Sequence, residues 1–141
     1  GLLITRSIGG NYAILLDNYI APDSYYCHNL SINIRPKHAY SVYEAPAARR
    51  LTLTLTLLEN GAWKQVTHRL NREHGSIFDV WQKMNYWEDA IRSDIEYFRQ
   101  TTRPSREYCN RQVSGNELRL HLTLAPHEVV LVELSPEEVS Y

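Results

Sequence analysis

The chain has 141 residues, of which 43% are hydrophobic and 22% charged, and its formal net charge is -1. These values are those of an ordinary globular domain, and they exclude the basic surface that nucleic-acid binding requires. No apolar run reaches the roughly 18 residues that are needed to span a bilayer. The length predicts one domain with a substantial hydrophobic core.

The first strand signals lie at the amino terminus. Leu2–Arg6 has a strand-like composition, Gly9–Asn11 supplies a hairpin turn, and Tyr12–Leu16 is a nearly continuous apolar run. The chain starts directly on this strand without a methionine, which favours an excised domain or a processed product. From Asn18 to Ala39 the sequence is polar and aromatic without clear periodicity, and it predicts a long loop.

Two further hairpins are predicted from alternating apolar residues. In Leu51–Leu57 leucine alternates with threonine, so one face of this strand is predicted to be buried. Glu59–Gly61 forms the turn and Trp63–Leu70 the returning strand. Near the carboxyl terminus, Leu118–Leu124 shows the same alternation, and Glu128–Leu134 is a strand rich in valine and leucine.

Two helices are predicted between these hairpins, one from Ser76 to about Met84 and one from about Tyr86 to Thr102. Ser76 and Asp79 fit a capping box in which aspartate replaces the usual glutamate or glutamine. Each helix carries its apolar residues on one face, and the tryptophans on these faces are predicted core residues. The stripes comprise Ile77, Val80, Trp81 and Met84 in the first helix, and Trp87, Ile91, Ile95 and Phe98 in the second.

Strand runs joined by hairpin turns are typical of antiparallel sheets rather than of βαβ units. The sequence therefore predicts a mainly β fold, an antiparallel β-sandwich of the immunoglobulin/fibronectin-like kind. The helical signals predict a two-helix insertion around residues 76–102.

The two cysteines, Cys27 and Cys109, lack the spacing of a redox or zinc motif. Two free thiols in a reducing compartment, and hence a cytoplasmic location, are the favoured interpretation. A single disulfide and a secreted parent protein stay open as the alternative.

The residue patterns of common catalytic and metal sites are missing from the sequence. It contains no G-x-S-x-G, G-x-G-x-x-G or Walker motif, and its histidines lack zinc-site spacing. The carboxylates are mostly explained as residues of turns, caps and helix surfaces, so a glycosidase acid/base pair is not expected. The sequence thus predicts no catalytic, cofactor-binding or metal-binding residue, and no cofactor.

Four segments, in order along the chain, resemble the C-terminal region of glycoside hydrolase family 39, which contains β-xylosidases and is related to α-L-iduronidase. They are Gly10–Tyr19, Leu51–Leu57, Thr67–Ser76 with the following Phe78, Val80, Trp81 and Met84, and Leu124–Leu134. In the first segment Ala13 and Asp17 depart from the family's usual glutamine and tyrosine.

The resemblance implies that residues 1–141 form one accessory β-sandwich domain, excised from a parent chain with a catalytic (β/α)8 barrel. The family's catalytic glutamates lie in that barrel, so the fragment alone is expected to be inactive. The resemblance makes the barrel of the same chain the expected partner, and the candidate barrel-facing turn comprises Asn71, Arg72, Glu73, His74 and Ser76. An N-terminal segment of family enzymes can add a strand to the sandwich, so an unfilled sheet edge and a homo-oligomer through that edge are also implied.

Two other functions stay open. The chain is alternatively a carbohydrate-binding module that stacks sugars on loop tyrosines, for which Tyr25, Tyr26 and Tyr40 are the candidates. Family 39-like regions also occur fused to helix-turn-helix proteins. A C-terminal sugar-sensing module of an arabinose-type transcription regulator is therefore the third hypothesis.

Overall fold

The structure is a computed structural model that describes residues 1–28, 36–43, 47–56, 58–85, 89 and 91–137. The strands are β1 (Leu2–Arg6), β2 (Tyr12–Asp17), β3 (Arg49–Thr56), β4 (Gly61–Leu70), β5 (Ser105–Val113), β6 (Glu117–Leu124) and β7 (Val129–Pro136). The helices are α1 (Ser24–His28), α2 (Ile77–Lys83), α3 (Arg92–Thr101) and a 3-10 helix (Pro36–Val42). None of the helices in the described part of the chain has the length and apolar composition that a membrane crossing requires.

The strands form two antiparallel sheets that face each other. One sheet has the order β1-β2-β7-β4-β5, and the other pairs β3 with β6. The core between them is built from both sheets: Ile14, Leu16, Leu55, Leu58, Trp63, Val113, Leu118, Leu120, Leu122, Leu124, Val130, Val132 and Leu134. The predicted antiparallel β-sandwich with a helical insertion is therefore confirmed. The predicted pairing of Leu51–Leu57 with Trp63–Leu70 is wrong, as is that of Leu118–Leu124 with Glu128–Leu134, because each of these turns crosses from one sheet to the other instead of joining neighbouring strands.

The alternating leucines of β3 and β6 explain the smaller sheet. The register pairs Leu51 with Leu122 and Leu53 with Leu120, so the leucines of both strands share one face. Leu120 is 1% exposed. Full burial of a leucine side chain stabilises the fold by about 1.5–3 kcal/mol, so this face is a large part of the driving force for folding.

The five-stranded sheet is wider than the sheet that covers it. Every residue of β1 is exposed, although Leu2 and Ile4 pair with core residues of β2. At the other edge, β5 presents polar side chains toward the covered side, and Arg111 donates a hydrogen bond to Gln65. The sequence patterns predict no strand at β5, because a strand without an apolar partner shows no apolar alternation.

The predicted long loop between Asn18 and Ala39 is wrong in part. It contains α1 and the beginning of the 3-10 helix, while residues 29–35 lie outside the described part of the chain. Both helices are short, so neither produces a periodic apolar pattern in the sequence.

The helix α2 begins where it is predicted. Ser76 is its N-cap, and the Ser76 hydroxyl oxygen accepts a hydrogen bond from the Asp79 backbone N–H at 3.2 Å. Only this half of the predicted capping box forms. The Asp79 carboxylate accepts a hydrogen bond from the Ser76 hydroxyl rather than from the Ser76 backbone N–H. The helix α3 begins at Arg92 rather than at Tyr86, and residues 86–88 lie outside the described residues.

The predicted burial of the helical apolar stripes is wrong for their isoleucines. The stripe residues Val80, Met84 and Phe98 are half-buried, and Trp87 lies outside the described residues. Ile77 of α2 is 57% exposed, and Ile91 and Ile95 beside and in α3 are 62% and 46% exposed. Trp81 is half-buried rather than a core residue. The insertion lies outside the two sheets, so these three isoleucines stay largely uncovered within the described part of this chain.

Candidate functional site

Three segments meet at one end of the sandwich. They are the 3-10 helix, the Asn71–Ser76 turn after β4, and the Ala125–Glu128 turn between β6 and β7. They surround an open cavity of about 300 Å³, called the turn cavity below. Its lining residues are Tyr40, Asn71, Arg72, Glu73, Ala125, Pro126 and His127.

The Asn71–Ser76 turn is fixed by its own sequence. The side-chain oxygen of Asn71 accepts hydrogen bonds from the backbone N–H groups of Glu73 and His74, both at 2.9 Å. Gly75 has a φ of +93°, and a Cβ there would lie 2.1 Å from Cδ1 of Leu70. Glycine is therefore favoured at this position by its backbone conformation, and a Cβ would also displace the methyl group of the exposed Leu70 side chain.

Asp79 anchors the 3-10 helix to the Asn71–Ser76 turn. It is 6% exposed and accepts hydrogen bonds from the hydroxyl groups of Ser76 and Tyr40, at 2.5 and 2.6 Å, and from Arg72 at 3.0 Å. Burial opposes ionisation of Asp79, but these donors together hold its pKa below the usual value. Burial and the bond to Asp79 raise the pKa of Tyr40.

Glu128 joins the Asn71–Ser76 turn to the Ala125–Glu128 turn. Its carboxylate is 2% exposed and accepts hydrogen bonds from Arg69 at 3.2 Å, Asn71 at 2.9 Å and the Ala125 backbone N–H at 2.7 Å. A buried carboxylate with this many donors is fully satisfied. Glu128 therefore holds one wall of the turn cavity in place.

The backbone of His127 lies in the left-handed region, which is uncommon for residues other than glycine. Its φ is +58°, and the turn is closed by the Glu128 N–H, which donates to the Ala125 carbonyl at 3.2 Å. The imidazole ring packs on Tyr43, with 4.3 Å between ring centroids. Among the described residues, no hydrogen bond or ion pair engages the His127 imidazole or the Glu73 carboxylate.

The structure brings together two sets of predicted site residues. Asn71, Arg72 and Glu73 of the predicted barrel-facing turn line the same cavity as Tyr40. Ser76 lies beside them in the hydrogen-bonded group around Asp79, whereas the side chain of His74 is exposed.

The other two predicted stacking residues lie elsewhere. Tyr25 and Tyr26 are in α1, and neither lines the turn cavity. Their ring planes meet at 85°, so they are not coplanar. One face of the Tyr40 ring is covered by the Arg72 guanidinium, whose carbon lies 3.6 Å from the ring centroid.

The sequence patterns do not indicate the roles of Asp79, Glu128 and His127. Asp79 is predicted only as a cap residue, and the other two belong to a predicted turn and strand. The sequence does give one indirect signal for the two carboxylates. Arg69 lies near the end of a predicted strand and Arg72 in the turn that follows it, and arginines that become partly buried need acidic partners. Sequence alone does not say which carboxylates supply them.

Outside the turn cavity, the described residues form neither a metal site nor a disulfide. Within the described residues, no three histidine, cysteine or carboxylate side chains lie together as a metal site. Cys27 and Cys109 are both exposed free thiols.

Comparison with solved structures gives several similar folds. The chain aligns over 96% of its length with a GH39 enzyme from Xanthomonas axonopodis pv. citri, at 15% identity and a TM-score of 0.72. A monomeric β-xylosidase from Caulobacter crescentus CB15 aligns over 96% at 20% identity and 0.71. A bacterial orthologue of human α-L-iduronidase aligns over 97% at 14% identity and 0.61.

The chain spans 26% of the length of the first two of these enzymes and 22% of the third. No protein-family model and no curated protein matches the chain. The resemblance to family 39 is therefore confirmed in the fold, and this chain has the fold of a portion of GH39 enzymes that makes up about a quarter of their length.

Proposed function

We propose that this chain is a non-catalytic accessory β-sandwich domain of a family 39-like glycoside hydrolase of the β-xylosidase type. In this proposal residues 1–141 form one domain of a cytoplasmic parent protein, and the domain packs against the catalytic (β/α)8 barrel of the same chain. The comparisons support the proposal because the similar enzymes are much longer, with the chain spanning 26% of two of them.

The observation that carries the proposal is exposed apolar surface on both sides of the Asn71–Ser76 turn. Leu70 immediately before it is 41% exposed, and Ile77 immediately after it is 57% exposed. Ile91 and Ile95 of the adjoining insertion add 62% and 46% exposure. These residues and the turn form the docking surface. Clustered exposed apolar residues are typical of a surface that another domain covers.

The buried carboxylates support a non-catalytic role. A glycosidase general acid needs a raised pKa, whereas the donors around Asp79 lower its pKa. Glu128 is held by Arg69 and two further donors. Neither group is therefore prepared to transfer a proton to a glycosidic oxygen.

The activity test uses the purified chain with nitrophenyl-β-xyloside. We expect no hydrolysis above the buffer rate, because the two buried carboxylates of the described residues, Asp79 and Glu128, are engaged by hydrogen-bond donors rather than arranged as an acid/base pair. Measurable turnover that follows the protein through purification would contradict the proposal.

The docking test mixes this chain with the separately produced catalytic barrel of its parent in a calorimeter. Ile77→Asp is expected to weaken binding at least about tenfold, since a charge would be buried in an apolar interface. Ile8→Asp is the matched control, because Ile8 is fully exposed in the turn between β1 and β2, at the opposite end of the sheet. Equal binding by both variants, or no binding by the unsubstituted chain, would refute docking through this surface.

Calorimetry also distinguishes the carbohydrate-binding alternative from the accessory role. Titration of the chain with xylo-oligosaccharides should give no binding heat if the domain is purely accessory. Binding heat that disappears in the exposed-site variant Tyr25→Ala would favour the module instead. Reading the residues upstream of Gly1 would separate an enzyme from the regulator alternative.

A homo-oligomer through a sheet edge belongs to the same proposal. The described strands leave β1 and β5 as the edges of the larger sheet, and β3 and β6 each have one unpaired edge. Unpaired backbone groups of edge strands can pair with another chain. Sedimentation velocity should show mass that rises with concentration, and a monomer at every concentration would contradict this part of the proposal.

A further inference from the structure

The walls of the turn cavity carry an unbalanced negative charge. Two cations lie beside it, and each is already paired with a buried carboxylate: Arg69 with Glu128 at 3.2 Å and Arg72 with Asp79 at 3.0 Å. Glu73 also lines the cavity, and its carboxylate has no ion pair among the described residues. Charge complementarity therefore favours a positively charged occupant.

The remaining walls suit the shape of a long basic side chain. Pro126, Ala125 and the Tyr40 ring supply apolar and aromatic surface, on which a lysine or arginine stem can pack. His127 adds an imidazole that, when neutral, has a free nitrogen able to accept a hydrogen bond. Its left-handed backbone and its packing on Tyr43 keep this ring at the cavity.

We propose that the turn cavity receives a lysine or arginine side chain of the catalytic barrel, with Glu73 as its counter-ion. This inference rests on the proposed function, because it places the barrel against the docking surface. Asn71, Arg72 and Glu73 belong to that surface and to the cavity wall at once. Docking of the barrel on Leu70 and Ile77, which flank the turn, would exclude water from the mouth of the cavity, and the lower local dielectric would strengthen the ion pair.

The test uses the parent polypeptide, in which this chain is joined to its barrel. The variants are Glu73→Gln, which removes the charge, and Glu73→Arg, which reverses it. The control is Glu59→Arg, because Glu59 is an exposed carboxylate just before β4 begins at Gly61, at the opposite end of that strand from the Asn71–Ser76 turn. The measurement is amide hydrogen exchange of the Asn71–Ser76 turn, together with denaturant unfolding of the isolated chain carrying each variant.

We expect exchange at the turn to rise at least about tenfold for Glu73→Gln and further for Glu73→Arg, with the control unchanged. Unfolding of the isolated chain should not differ between variants, since Glu73 is exposed there. Equal effects of the two variants, or none, would overturn the cation proposal while leaving docking intact. Exchange in the unsubstituted parent as fast as in the isolated chain would overturn the proposed function itself.

Discussion

Tyr40 and Asp79 lie 39 positions apart in sequence, and the Tyr40 hydroxyl donates a hydrogen bond of 2.6 Å to the Asp79 carboxylate. Arg72 completes the group, since it binds Asp79 and also lies over the Tyr40 ring at 3.6 Å. This arrangement fastens the 3-10 helix to the start of α2. Tyr40 thus has a structural task that is separate from any contact with a ligand.

Tyr40→Phe is expected to lower the free energy of unfolding by about 1.5–3 kcal/mol, because it removes one hydrogen bond to a buried carboxylate and keeps the ring. Urea unfolding measures the change. Tyr25→Phe is the control, since Tyr25 is 64% exposed and should give no change. Equal midpoints for Tyr40→Phe and the unsubstituted chain would show that the bond does not contribute.

Asp79 should make stability depend on pH in the acid range. Its pKa is lowered from 3.8 in the folded state, so its contribution is complete well above pH 3.8 and is lost as the pH falls through the lower folded value. We expect Asp79→Asn to be less stable than the unsubstituted chain at pH 6, with a smaller difference at pH 3. Urea unfolding at both values measures this, and a constant difference would contradict the linkage.

Glu128→Gln is expected to destabilise the chain by about 3 kcal/mol, because it leaves the Arg69 guanidinium without its buried counter-ion. Glu133→Gln is the matched control, since the side chain of Glu133 is 51% exposed and pairs with His68 on the outer face. The exposed pair should be worth less than about 1 kcal/mol. Chemical unfolding of both variants compares the two carboxylates, and similar losses would refute a bracing role for Glu128.

Gly75→Ala should cost more than Gly10→Ala, although both glycines have positive φ values, +93° and +82°. The backbone penalty of a left-handed alanine, about 1–2 kcal/mol, is common to both. At Gly75 the new Cβ would also meet Leu70, whereas nothing lies within 4 Å at Gly10. Thermal unfolding should therefore show an extra loss of about 0.5–1.5 kcal/mol at Gly75, the cost of moving the Leu70 side chain from its rotamer, and equal losses would contradict the close contact.

The sheets were predictable where a strand buries one face against the other sheet. The alternation in Leu51–Leu57 and Leu118–Leu124 predicts strands, and the structure has β3 (Arg49–Thr56) and β6 (Glu117–Leu124) there, while Leu57 lies outside the described residues. β5 gives no such signal, because its inward side chains, apart from Val113 at its end, are uncovered and mostly polar. The sequence of α2 predicts the helix correctly, but the predicted burial of Ile77 in the core is wrong. Apolar periodicity identifies the face of a helix that is to be covered, but it does not identify the partner that covers it.

The candidate site was predictable only in its local part. The Asn71–Ser76 turn can be predicted because its determinants lie within six positions: Asn71 caps backbone N–H groups, Gly75 allows a positive φ, and Ser76 caps the next helix. Glu128 reaches Arg69 across 59 positions, and Tyr40 reaches Asp79 across 39. Such pairs depend on the packing of distant strands, which propensity and spacing do not encode.

The larger sheet extends beyond the smaller one on both sides, and this has a consequence for motion. β1 has no buried residue, and β5 has a buried residue only at its Val113 end. Few apolar contacts hold these edge strands, so their opening should need much less free energy than global unfolding. Their outermost amides are expected to exchange with solvent first, while those of β2, β7 and β4 exchange only when the whole domain unfolds.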